Sequence, residues 1–76
     1  MRPSDLAAAA RIRAELKSGA ARAQREAAGV SMRDVARVLG VSAQAVHYWE
    51  TYQSVPTVEH ALAYGRLLTA LTRQAA

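Results

Sequence analysis

Apolar positions recur at intervals of three and four residues along most of the chain, and Ser, Gly and Pro interrupt the recurrence where helices begin and end. Leu6, Ala9, Ile12 and Leu16 follow this spacing and predict an amphipathic helix over 5–17. Ser4 is its expected N-cap, Asp5 suits the first turn, and Ser18-Gly19 should break or kink it. A second helix is predicted over 20–28, where Arg22, Arg25 and Glu26 stand among alanines and Gly29 follows as the stop.

Ser31 and Asp34 form a capping box with Asp in place of Glu, flanked by the staple pair Val30 and Val35. Met32, Val35, Ala36 and Leu39 then make one apolar stripe, which Gly40 ends after two turns. The pattern repeats at once. Ser42 caps, Val41 and Val46 staple, and Ala45, Val46 and Trp49 face inward on a helix over about 43–50. Thr51 to Pro56 has no helical period, and Thr57 can cap a final helix over 57–73 that buries Val58, Ala61, Leu62, Leu68 and Leu71. No strand, repeat or low-complexity linker is predicted. The expected fold is all-α, a bundle of about five helices.

Seventy-six residues make one domain near the lower limit for a self-sufficient core, with no room for a separate catalytic unit. The chain has neither Cys nor Phe, so it has no disulfide framework or cysteine-ligated metal. Leu, Val, Ala, Trp49 and three Tyr are left to fill the interior, and stability must come from helix packing or a partner chain. A formal charge of +4 and a pI of about 10.4 suit a polyanionic partner. No apolar run approaches the ~18 residues that would span a bilayer, and no signal-peptide core follows the start, so no membrane partner is expected and the location should be cytoplasmic.

Candidate chemistry is sparse. His47 and His60 match no common ligand spacing, so neither metal nor other cofactor is expected. No nucleophile, base and orienting group stand out, nor a phosphate loop or carboxylate pair, and no small-molecule pocket is evident. Arg11, Arg13, Lys17, Arg22 and Arg25 concentrate charge in the first third, where a solvated helix face is the default expectation, as it is for Arg66 and Arg73. The informative feature is the turn. Two short capped helices joined by Gly40-Val41-Ser42 have the geometry of a helix-turn-helix, the glycine permitting the sharp turn and the valine plugging the crook.

From about Arg22 to Leu62 the chain resembles the phage repressor and Cro-like (Xre) family of DNA-binding proteins. Ala36, Gly40, Val41, Ser42, Val46 and Trp49-Glu50 stand at the family's spacing, followed by Pro56 and a new capped helix. The resemblance implies that helix 43–50 enters the major groove of double-stranded DNA while the preceding helix lies across the backbone. Ala43, Gln44, His47 and Tyr48 then face the bases, because Ala45, Val46 and Trp49 are taken by the core. Gln44 can pair with adenine N6 and N7, His47 can meet a base edge or phosphate, and Ala43 can touch a thymine methyl. One good bidentate pair discriminates by roughly 1–3 kcal/mol.

Phosphate contacts are expected at the helix starts capped by Ser31 and Ser42, at Met32, and from Arg33 and Arg37, with Thr51, Tyr52, Gln53 and Ser54 adding neutral hydrogen bonds. The resemblance also implies an ion pair between Arg25 and Glu50. Two departures, the uncharged loop at 51–55 and Met32 where a glutamine is common, predict weak electrostatic binding by a lone subunit. Ala21, Ala27 and Ala28 stand where larger apolar residues are usual, which would underfill the core unless helix 5–17 covers it. Leu6, Ile12 and Leu16, or Leu67, Leu68 and Leu71, could instead meet a second subunit in a homodimer on a palindromic site.

The expected function is transcriptional regulation by sequence-specific binding, without chemistry on the DNA. An alternative is a MerR- or excisionase-like protein, which would place a wing after the motif where Thr57 here begins a helix. Another is an antitoxin or other protein-interaction module, which the uncharged loop keeps open. Richness in Ala and Arg points to a GC-rich bacterial source or its mobile elements, and hence to the nucleoid.

Overall fold

A computed structural model of the chain describes residues 1–75. They form five helices, α1 Pro3–Ser18, α2 Ala20–Ala27, α3 Met32–Leu39, α4 Ala43–Glu50 and α5 Val58–Ala75, and no strand occurs among them. The all-α architecture expected from the spacing is the one found, with a helix-turn-helix at its centre. After Pro56 the chain enters α5 directly, with no strand-built wing.

Local signals set most helix ends. The Ser31 hydroxyl accepts from the Asp34 N–H at 3.0 Å and the Asp34 carboxylate accepts from the Ser31 N–H at 3.2 Å, a complete capping box at the start of α3. The Ser31 N–H, and after it the Ser31 hydroxyl, hold the Asp34 carboxyl below its ordinary pKa. The Ser42 hydroxyl accepts from Ala45 N–H at 3.0 Å, and Thr57 Oγ1 accepts from His60 N–H at 3.2 Å. At α1 the expectation fails. Pro3, not Ser4, opens the helix, because proline has no N–H to lose in the first turn and its φ is already helical. The cap position falls to Arg2, whose N–H donates to Asp5 at 3.1 Å.

The core joins Ala9, Ile12 and Leu16 of α1 to Ala21, Val35, Ala36, Val46, Trp49, Ala61, Tyr64 and Leu68. Burial of side chains the size of Ile12 and Leu16 is worth roughly 1.5–3 kcal/mol each. Ile12, Leu16 and Leu68 are therefore committed within the subunit, while Leu6 is exposed beyond the core and Leu67 and Leu71 are half-buried. The anticipated gap at three alanines also resolves. Ala21 is buried in the core, whereas Ala27 and Ala28 face solvent and have no cavity to fill.

α1 and α5 pack closely because of one residue. A Cβ built on Gly65 would lie 2.9 Å from Ile12 Cγ1 and Cδ1, so glycine in mid-helix is what lets Ile12 seat against α5. Arg13, expected to be solvated, instead donates from Nε and Nη2 to the Pro56 carbonyl at 3.1 and 2.9 Å. It ties α1 to the start of α5 and satisfies a carbonyl that no helix would use.

Candidate nucleic-acid interface

The turn between α3 and α4 rests on Gly40, whose φ of +72° is open to glycine at little cost, and Val41 N–H donates back to Ala36 O at 3.0 Å. Val41 is half-buried against the core, as a plug in the crook should be. α4 closes with the matching bond, Gln53 N–H to Tyr48 O at 2.8 Å, and Tyr52 N–H adds one to Trp49 O at 3.1 Å. Here the left-handed position holds Tyr52, at φ +57°. Its ring lies under Lys17 Nζ, 5.9 Å from the centroid, which links the loop to α1.

The inner side of α4 is held by packing and by one polar knot. Val46 and Trp49 are buried. Arg25 donates in fork geometry to Glu50, Nε to Oε2 at 2.7 Å and Nη2 to Oε1 at 2.8 Å, and its Nη1 reaches the Val30 carbonyl at 2.8 Å. Tyr64 completes the knot from α5 by donating to Glu50 Oε2 at 2.6 Å. The Arg25 and Glu50 side chains are only 8% and 3% exposed, so their charges have left water and must satisfy each other. Burial works to raise the Glu50 carboxyl, but the bonds from Arg25 and Tyr64 outweigh it and hold its pKa below the usual range. The bond to Glu50 raises Arg25. Burial first, and then Glu50, push the Tyr64 phenol well above its ordinary value.

The outer side carries Ala43, Gln44, His47 and Tyr48, all exposed. Gln44 Nε2 donates to Tyr48 Oη at 2.8 Å, one helical turn away. His47 lies at the flank of this face. With Arg22, Arg25, Glu26, Ser31, Met32, Glu50 and Thr51 it lines a recess of about 380 Å³, where α2, the start of α3 and the end of α4 approach each other. Glu26 and Glu50 are paired there with Arg22 and Arg25, and unpaired N–H groups at the helix start add partial positive charge.

Three of the sequence-predicted phosphate contacts, Ser31, Met32 and Thr51, thus meet in one place, joined by His47. Ser42, Arg33 and Arg37 are exposed outside the recess, with Arg37 3.8 Å from Asp34. Tyr52, Gln53 and Ser54 are exposed in the loop after α4, where Gln53 Nε2 donates to Thr51 Oγ1 at 2.9 Å. Among the described residues, no group of three or more His, Cys, Asp or Glu could hold a metal ion. None has a helix long and apolar enough to cross a membrane.

Sequence reasoning missed Tyr64 and Arg22. Tyr64 falls on the Ala61–Leu68 stripe, so its burial was readable, but its bond to a residue fourteen positions earlier was not. Arg22 was passed over as a solvated charge, and it does bond Glu26 at the surface, at 3.3 Å. A family model described as helix-turn-helix matches residues 22–69, well over half of the chain and all of the elements that build this surface. No curated protein and no solved structure matches the chain.

Proposed function

The chain belongs to the helix-turn-helix family of the phage repressor and Cro-like (Xre) kind, and from that premise we propose that it is a regulator of transcription that binds double-stranded DNA sequence-specifically as a homodimer. The observation that carries the reading is the division of α4 into two sides. Val46, Trp49 and Glu50 anchor the helix, and Ala43, Gln44, His47 and Tyr48 are left exposed on its other side. A rigid helix with a polar outer face is what major-groove reading requires.

In this reading Gln44 and Tyr48 face base edges, and Ala43 meets a thymine methyl. His47 stands between bases and backbone. The recess at Ser31, Met32 and Thr51 accepts a phosphate, and Ser42, Arg33 and Arg37 meet others, with Tyr52, Gln53 and Ser54 alongside the backbone. The whole chain acts as one DNA-binding unit. Two copies sit on an inverted repeat, which offsets the modest affinity of a subunit whose loop at 51–55 is uncharged. The protein works at the bacterial nucleoid, performs no chemistry on the DNA, and represses or activates by occupying a promoter.

Selection of bound sequences from a pool of random duplexes, at two salt concentrations, tests this directly. The expected result is an enriched inverted repeat, with Gln44→Ala erasing the preference at one position in each half-site while salt-sensitive non-specific binding survives. Recovery of no preferred sequence, with binding indifferent to Gln44→Ala, would replace this reading with a protein-interaction module docked through the loop at 51–55. There Tyr52 and Val55 are exposed.

A further inference from the structure

A cleft of about 600 Å³ opens between α1 and α5, on a part of the surface to which α3 and α4 contribute no residue. Its floor is apolar, formed by Ala8, Ile12, Leu62 and Gly65, and Ala8 and Leu62 remain half-exposed there. Arg11, Arg66 and Arg73 stand on its walls, and none of them forms an ion pair among the described residues. We propose that this cleft is a binding site for a small organic acid, whose carboxylate pairs with Arg11 and Arg66 and whose apolar body covers the floor. The proposal stands apart from the reading of α4 as the helix that meets DNA.

The place of the arginines follows from the helix contact. Ile12 seats on Gly65, and Arg11 and Arg66 adjoin that pair along their own helices, so two cations flank the point where α1 and α5 pack closely. Arg73 follows Arg66 by seven residues, two turns further along the same face of α5. The cleft holds one carboxylate, Glu15, which already accepts from Gln24 Nε2 at 2.6 Å. Three guanidiniums against one engaged carboxylate leave a positive wall beside an apolar floor, and a guanidinium presents paired N–H donors that match a carboxylate. Charge spacing alone reads these arginines as solvated, because the floor between them joins residues from opposite ends of the chain.

Charge and size together select the occupant. The volume lies within the range of about 300–1,000 Å³ usual for small-molecule sites. A second copy docked two-fold through this face would set the patch against itself, arginines against arginines. A DNA phosphate satisfies the arginines but leaves the apolar floor without a partner. An acid with an apolar tail satisfies both. Such a ligand bridges α1 and α5, binds only the folded chain, and therefore raises its melting midpoint.

The test titrates the intact protein with octanoate, and with acetate and 1-octanol as probes that lack the tail or the charge. Backbone amide shifts are followed by NMR and the melting midpoint by circular dichroism. The expected result is saturable one-to-one binding of octanoate with a Kd at or below about 1 mM, the largest shifts at Ala8, Gly65 and Thr69, and a raised midpoint. Acetate and octanol should both bind more weakly. Arg11→Gln and Arg66→Gln, at exposed positions, should each weaken octanoate binding about two- to five-fold, the worth of one exposed ion pair. Thr69→Trp, which fills the cleft, should abolish it. Absence of saturable binding, equal affinity for octanoate and octanol, shifts centred on α4, or binding unchanged by both glutamine variants would each overturn the proposal. So would a dimer in sedimentation that Thr69→Trp dissociates, which gives the face to a second copy. A weaker affinity of both glutamine variants for a random duplex, with a shallower salt dependence, would also overturn it and give the arginines to the DNA backbone.

Discussion

Helix α4 carries polar groups on two sides, and the two sides differ in what water allows. On the inner side Glu50 has lost its hydration and keeps its charge only because Arg25 and Tyr64 donate to it. On the outer side Gln44, His47 and Tyr48 are exposed, and any bond they lose is replaced by solvent. The inner cluster is thus committed to one arrangement and positions the helix, while the outer cluster can exchange water for a base or phosphate. The same eight residues serve as anchor and reader because burial makes one set of hydrogen bonds obligatory and leaves the other free.

The largest effect should come from breaking the anchor. Arg25→Ala leaves a buried carboxylate without its counter-ion and is expected to cost about 3–5 kcal/mol in urea unfolding. A loss under 1 kcal/mol would show that the two sides do not differ as described. Acid gives a second view of the same bond. Because the folded-state pKa of Glu50 is lowered, its contribution is fully present above its unfolded value of about 4.5 and is lost as pH falls through the folded value. Stability below about pH 4.5 should therefore fall less steeply in Glu50→Gln than in wild type, from a lower starting level.

Tyr64→Phe removes one donor to Glu50 but leaves the Arg25 fork intact, so a cost of about 1.5–3 kcal/mol is expected from the same unfolding curves. A smaller effect of opposite sign is expected where α4 ends. Tyr52 holds a left-handed conformation that costs a non-glycine residue about 1–2 kcal/mol, against about 0.5–1 kcal/mol from Lys17 over its ring. Tyr52→Gly should raise the melting midpoint slightly, and a lowered midpoint would mean that the ring contact outweighs the strain. Smallest of all, Gln44→Ala should leave stability within about 0.5 kcal/mol. Its effect belongs entirely to DNA selection, and a destabilised variant would place Gln44 on the anchoring side.

How far each feature was legible follows from its range in the sequence. The capping serines at 31 and 42, the turn at Gly40 and the stripe of Val35, Ala36, Val46 and Trp49 are written within a few residues of each other, and they define the helix-turn-helix. The outer face of α4 was found by subtraction, as what the core stripe leaves over. The Arg25–Glu50 pairing came from resemblance, since charge spacing alone treated Arg25 as one cation in a solvated group. Arg13 was misjudged for the same reason, its partner being the carbonyl of Pro56, forty-three residues away. Ser4 was preferred to Pro3 at the start of α1 because both are good opening residues and the sequence does not rank them.

Helix type, helix order and the turn that joins α3 to α4 depend on capping and periodicity, which act between residues at most four or five apart, and composition alone disposes of disulfides. The third hydrogen-bonding partner of Glu50, the seat of Ile12 on Gly65, the exposure of Ala27 and Ala28 and the recess shared by His47 and Ser31 depend on where whole helices cross. Those crossings are set by packing among side chains far apart in the chain, and no local pattern carries that information.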